Sequence, residues 1–284
     1  LAESATCMAR NEFSLVGATG SNFNKTTDVM NYREAMKSLI VDKIMRAIET
    51  EHDKFVKYQV WKAVKESEVD PRVKVVDTTW AIKAKPSGLV RARCNVQGFK
   101  QIDGKHFDSS DKSAPVISQF AIRVMLVLIV MASLHAELVD VEAAFLNGRY
   151  DNGEEIFVKV PDGMRKWYPP HVLLRLLRTM YGTKQGALQY WREVAKAMRE
   201  MQMERSQADP CLYFKWVDGS IVAILVWVDA CLIVGQKETV LKYKRKWMSL
   251  FDCKDLREAT KYVGCKLERK QHLLKLTQPV LIPS

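Results

Sequence analysis

The chain has 284 residues, with 44 Lys and Arg against 33 Asp and Glu, a formal net charge of +11. Hydrophobic residues make up 48% and charged residues 27%, a globular balance that excludes a disordered chain. The longest apolar run, residues 124–134, is shorter than the roughly 20 residues a membrane-spanning helix needs. No charged-then-apolar signal peptide opens the chain, so an intracellular protein, cytoplasmic or nuclear, without a membrane partner is expected. The six cysteines are scattered with no zinc-like spacing, which fits free, mostly buried thiols in a reducing compartment. The excess of cations points to a polyanionic partner, nucleic acid first.

Leu1 in place of Met reads as the start of a piece of a longer protein, and the polar, Gly-, Ser- and Asn-rich residues 1–30 read as a mobile leader. Apolar residues near helical spacing predict a helix over 32–55. Residues 73–85 and 89–96 read as strands joined by turn chemistry at Pro86-Ser87-Gly88. Residues 119–134 predict a strongly apolar, mostly buried helix. Residues 137–141 and 155–160 read as strands, and 184–203 as a helix. Residues 211–216 and 221–228 are β-rich and joined by Asp218-Gly219, a hairpin signal. A second tight turn is expected at Asp229-Ala230, leading into 231–234. Residues 237–250 form a basic helix, and 263–268 with 273–277 a last hairpin. Antiparallel hairpins mixed with packing helices predict an α+β fold.

Two carboxylates carry the chemistry. Asp140 and Asp229 each end an apolar strand, where a carboxylate is costly unless something satisfies it. A divalent cation would do so, and hard Mg²⁺ prefers oxygen ligands. Two such strands side by side would suit two-metal phosphoryl or nucleotidyl transfer. The other reading is that each Asp starts a turn and faces water.

Longer words surround these residues. Trp80-Ala81-Ile82-Lys83-Ala84-Lys85, then Arg91-Ala92-Arg93 and Gly98-Phe99-Lys100-Gln101, precede Ala114-Pro115-Val116. Asp140-Val141-Glu142-Ala143-Ala144-Phe145-Leu146-Asn147-Gly148 follows, with Pro161-Asp162-Gly163, Tyr181-Gly182-Thr183-Lys184-Gln185 and Ala208-Asp209-Pro210-Cys211-Leu212-Tyr213. Last comes Trp227-Val228-Asp229-Ala230. In this order and spacing, from about residue 58 to 278, the sequence resembles the reverse transcriptase domain of Ty1/copia-type retrotransposons.

The resemblance implies a right-hand polymerase fold: an N-terminal helix and fingers-like region over 31–135, and a palm-like region over 136–284 that ends before a thumb or RNase H domain. It implies an RNA-directed DNA polymerase, acting on an RNA template, a DNA primer and dNTPs, with Asp140 and Asp229 holding two Mg²⁺ ions. Phe145 matches the family's steric gate against the ribose 2′-hydroxyl. Lys83, Lys85, Arg91 and Arg93 lie on the fingers-like hairpin, where they meet triphosphate and template or form a solvated face. Lys184 and Gln185 open the helix under the incoming base pair or form a structural turn, and Trp227 keeps an aromatic beside Asp229. Lys242, Lys244, Arg245 and Lys246 would track duplex phosphates or form a solvated helix face. The family's Y-V-D-D has a second aspartate where this chain has Ala230. The resemblance therefore implies an impaired copy, with a non-catalytic nucleic-acid-binding relic as the rival reading.

Overall fold

The computed structural model describes residues 29–277, apart from 86, 111, 151–153, 264 and 271–272. The predicted leader lies outside the described residues except for Val29 and Met30. These form β1 (Val29–Met30), which pairs antiparallel with Lys83 and Ile82. In chain order there follow α1 (Tyr32–Ala35), α2 (Val41–Lys57), β2 (Trp61–Lys65), β3 (Thr78–Ala84), β4 (Val90–Val96), α3 (Gln119–Met131) and β5 (His135–Val141). Then come β6 (Phe157–Lys159), β7 (Val172–Leu176), α4 (Gly186–Glu200), β8 (Glu204–Arg205), β9 (Leu212–Val217), β10 (Ser220–Trp227) and β11 (Ala230–Gly235). The described chain closes with α5 (Lys237–Leu250), β12 (Cys253–Glu258), β13 (Lys261–Tyr262), β14 (Cys265–Lys270) and β15 (Leu273–Thr277). Helices and antiparallel sheets make this an α+β fold.

The chain forms two compact units, each drawn from two stretches: Leu1–Ser113 with Phe145–Tyr190, and Ala114–Ala144 with Trp191–Ser284. The division at Tyr190 falls inside α4.

The first unit holds two three-stranded antiparallel sheets, β1-β3-β4 and β2-β7-β6. The helix predicted over 32–55 is two helices. A reciprocal capping box between Asn31 and Glu34 starts α1, and the chain turns before α2 begins. Alternation along the β3–β4 hairpin puts Trp80, Ile82, Ala92 and Cys94 on its buried face.

The second unit is built on a six-stranded sheet, β12-β5-β11-β10-β9-β8, all pairs antiparallel. Successive side chains of a strand alternate between faces, and directly opposed residues share one. One face carries Ala136, Leu138, Leu225, Leu232 and Val234 against Ile122, Met125, Leu126 and Ile129 of α3. Only that stripe of α3 is buried; Phe120, Val124, Val127, Leu128 and Met131 are exposed, so the expectation of a mostly buried helix is corrected. A single sheet face can cover only one side of a helix. The other sheet face, with Glu137, Val139 and Ile233, meets α5. Asp218 and Gly219 both have positive φ in the β9–β10 turn, as a two-residue hairpin requires. Cys94, Cys211 and Cys231 are buried free thiols.

Candidate active site

The two predicted carboxylates come together at one end of the six-stranded sheet. In the antiparallel pairing of β5 with β11, Asp140 stands opposite Ala230, and the Val141 amide donates to the Asp229 carbonyl at 2.8 Å. Trp227 pairs with Ala230, so the turn residues are Val228 and Asp229 rather than the expected Asp229 and Ala230. Val228 carries φ 52°, a strained value for a β-branched residue. Asp229, the second turn residue, is exposed at the hairpin tip, while Asp140 is half-buried and Trp227 packs on the α3 core.

Negative charge concentrates here. Burial first, and then the neighbouring carboxylates of Asp252, Asp140 and Glu142, push the Cys253 thiol up to about 12. Burial likewise pushes Cys231 well up, with Cys253, Asp229 and Asp140 adding to it. Both cysteines therefore stay protonated beneath the carboxylates.

On its other side β5 pairs with β12, and Lys254 stands directly opposite Asp140. Ala230, Asp140 and Lys254 thus form a row across three strands on one sheet face. Sequence reasoning missed Lys254, because residues 253–258 have no apolar alternation and a charged edge strand reads like a loop.

The chemistry of this donor set suits Mg²⁺, which is commonly held by one or two carboxylates with substrate phosphates and water completing its shell. Asp140 and Asp229 supply two carboxylates. Ala230, opposite Asp140, presents a methyl group. Among the described residues no group of three or more His, Cys, Asp and Glu is gathered for metal binding.

The basic run of α5 divides. Lys242, Arg245 and Lys246 are exposed. Lys244 is buried, and its Nζ donates to Glu137 Oε2 at 2.7 Å and to Asp255 Oδ1 and Oδ2 at 3.1 and 3.0 Å. The expectation that Lys244 tracks phosphates is corrected: it serves an internal ion network. Burial opposes its charge, yet the hydrogen bonds to Glu137 and Asp255 prevail and hold its pKa above the ordinary value.

In the first unit, Lys83 stands opposite Arg91, and Arg93 lies two residues along on the same face of the hairpin. Lys83, Lys85 and Arg91 are exposed. The Arg93 guanidinium sits 5.4 Å from the centre of the Tyr181 ring, and Phe145 meets the same ring edge-on at 6.2 Å. Phe145 also meets Tyr190 edge-on at 6.4 Å. Lys184 is exposed, with Nζ 4.2 Å from the Phe107 ring centre. Gln185 is 1% exposed, which leaves its amide to internal bonds. Its amide donates to the His106 carbonyl at 2.7 Å and to Glu154 at 3.0 Å, and accepts from Gln101 at 3.1 Å.

A family model described as reverse transcriptase (RNA-dependent DNA polymerase) matches residues 58–283. The chain is 32% identical over 242 residues to the retrovirus-related Pol polyprotein from transposon TNT 1-94 of Nicotiana tabacum, covering 83% of this chain and 18% of that protein. It is 26% identical over 252 residues to the Pol polyprotein from transposon RE2 of Arabidopsis thaliana, covering 87% of this chain and 17% of that protein. The chain thus spans less than a fifth of the length of these two relatives. A solved foamy viral protease-reverse transcriptase in complex with ds DNA is similar at TM-score 0.44 and 12% identity, over 93% of this chain and 39% of that one. The match over most of the chain, spanning both strand-end carboxylates, makes it a member of the reverse transcriptase (RNA-dependent DNA polymerase) family.

Proposed function

We propose that this chain is the fingers and palm of a Ty1/copia-type retrotransposon reverse transcriptase, descended from a template-directed nucleotidyl transferase and impaired in that reaction. The register that sets Asp140 beside the Asp229 turn carries the reading. Asp140 and Asp229 would hold Mg²⁺, which when bound activates a primer 3′-hydroxyl and neutralises the leaving pyrophosphate. The protein's own part is positional. The Val141–Asp229 hydrogen bond fixes the spacing of the two carboxylates, and Lys254 places a cation beside substrate phosphates on the face of Asp140. Lys83, Lys85, Arg91 and Arg93 form a basic face for triphosphate and template backbone. Phe145, braced edge-on by Tyr181 and Tyr190, serves as the steric gate.

Ala230 supports the impairment. A methyl group on the face of Asp140 removes one carboxylate from the site and leaves a second cation weakly held. The same observation favours a second reading, a relic that binds primer–template without extending it.

Primer extension on an RNA template with Mg²⁺ or Mn²⁺ and dNTPs tests both. Feeble extension that Asp140→Ala abolishes is expected. Robust extension untouched by Asp140→Ala overturns the assignment. Salt-dependent binding without any extension selects the relic reading.

A further inference from the structure

Strand β12 is the edge of the sheet, so β5 alone pairs with it. Cys253, Lys254 and Asp255 pair in regular order with Val141, Asp140 and Val139, and the Glu142 amide donates to the Asp252 carbonyl at 2.8 Å beyond them. The register then shifts before Glu258 pairs with Glu137, and Arg257 within the irregularity has φ 61°. A one-residue slip would turn Lys254 to the opposite sheet face, away from Asp140.

The internal ion network lies where it can prevent that slip. Glu137 and Asp255 share the face that meets α5, opposite to the face of Asp140 and Lys254. Lys244 Nζ bridges Glu137 on β5 and Asp255 on β12 from below. Asp255 Oδ1 also accepts from the Arg257 amide at 2.8 Å, which ties the network to the irregularity itself. Glu137 Oε1 is bonded to His135 Nε2 at 2.7 Å, so both of its oxygens are engaged. The network therefore satisfies the charges that burial would otherwise penalise.

We propose that Lys244 is a positioning residue: through Asp255 and Glu137 it fixes the register of β12 on β5 and so holds Lys254 on the face of Asp140. The inference rests on the reading that Lys254 meets substrate phosphates. It gives a buried lysine an effect on binding that it cannot have by contact.

Two measurements on the 284-residue chain test it. The first is affinity for a primer–template duplex as a function of salt. Lys254→Met is expected to weaken binding about tenfold and to lower the salt slope by about one, the signature of one lost phosphate contact. Lys244→Met should produce the same loss and the same slope change, and the double variant should lose no more than either alone. A folded Lys244→Met that keeps the wild-type slope, or a double variant whose losses add, overturns the proposal. The second measurement is hydrogen exchange at Cys253, Lys254 and Asp255. Lys244→Met should lose protection there while Lys254→Met keeps it, and unchanged protection in Lys244→Met overturns the register claim.

If Lys244→Met fails to fold, Lys244→Leu combined with Glu137→Leu and Asp255→Asn removes the network without leaving a buried charge. That variant should show the same slope change, and a wild-type slope in it counts against the proposal equally. If Lys254→Met leaves binding intact, the functional reading of Lys254 fails, and exchange alone then decides whether Lys244 sets the register.

Discussion

The amide of Val141 donates to the carbonyl of Asp229 at 2.8 Å, so the residue after one site carboxylate is bonded to the residue bearing the other. Placing a carboxylate at Ala230, beside this pair, is the most direct perturbation. Ala230→Asp puts a carboxylate opposite Asp140 on the same face. Metal-dependent primer extension should rise by about a hundredfold or more, the scale of one regained transition-state stabiliser. Steady-state extension rates with Mg²⁺ check it, and no gain would show that other departures limit the reaction.

Phe145 can be tested in that restored background. Phe145→Ala should lower the preference for deoxynucleotides over ribonucleotides by about a hundredfold, at the upper end of what one steric contact discriminates. The kcat/KM ratio for the two nucleotide classes reads this directly. An unchanged ratio would leave Phe145 as a core aromatic braced by Tyr181 and Tyr190.

Removing one partner of the buried network should be costly. Glu137→Leu leaves the Lys244 ammonium with Asp255 alone, and a loss of about 3–5 kcal/mol in folding stability is expected. Urea unfolding checks it. Replacing Lys244 as well should recover a large part of the loss, because no buried charge then lacks a partner.

Gly182 has φ 85°, and a Cβ there would collide with the Val96 carbonyl; a Cβ on Gly98 would collide with the Gly182 carbonyl. This close backbone approach seats the end of β4 against the loop bearing Tyr181, whose carbonyl accepts from the Val96 amide at 2.8 Å. Gly182→Ala is expected to destabilise the chain by about 1–3 kcal/mol through strain. Thermal unfolding measures this, and a neutral result would show that the loop relaxes freely.

His106 is 3% exposed and has both ring nitrogens in use. The Ile102 amide donates to Nδ1 at 2.9 Å, and Nε2 donates to the Lys74 carbonyl at 3.1 Å. A second ring proton would face a donor. Burial accordingly holds its pKa below 6.5, and burial does the same for His52. At these two histidines the unfolded chain binds more protons than the folded one, so their contribution to stability rises with pH through the window below about 6.5 and is flat above it. His106→Gln should reduce the slope of stability against pH in that window, leaving the share of His52.

Much of the candidate site was legible as strings of residues. Asp140 and Asp229 stand out because the words around them, 140–148 and 227–230, fall in order with the other motifs; a strand-end aspartate alone reads as well as a turn residue facing water. The β3–β4 hairpin was equally plain, since its turn residues and its alternation agree. Lys254 and Lys244 were not legible. One is a charge on an edge strand without periodicity, and the other sits in a basic run that composition makes look uniformly solvated. Of that run, Lys242, Arg245 and Lys246 face solvent while Lys244 turns inward, and only the helix phase relative to Glu137 and Asp255 separates them.

By itself, then, the sequence determined the family and the α+β class and nominated Asp140 and Asp229, because each of these is written in contiguous residues. The tertiary structure decided which cations stand near those carboxylates and which are spent inside. Pairing register chose the opposition of Lys254 to Asp140, and burial chose the fate of Lys244. Both depend on residues more than a hundred positions apart in the chain, whose meeting is set by how strands align and not by any local propensity.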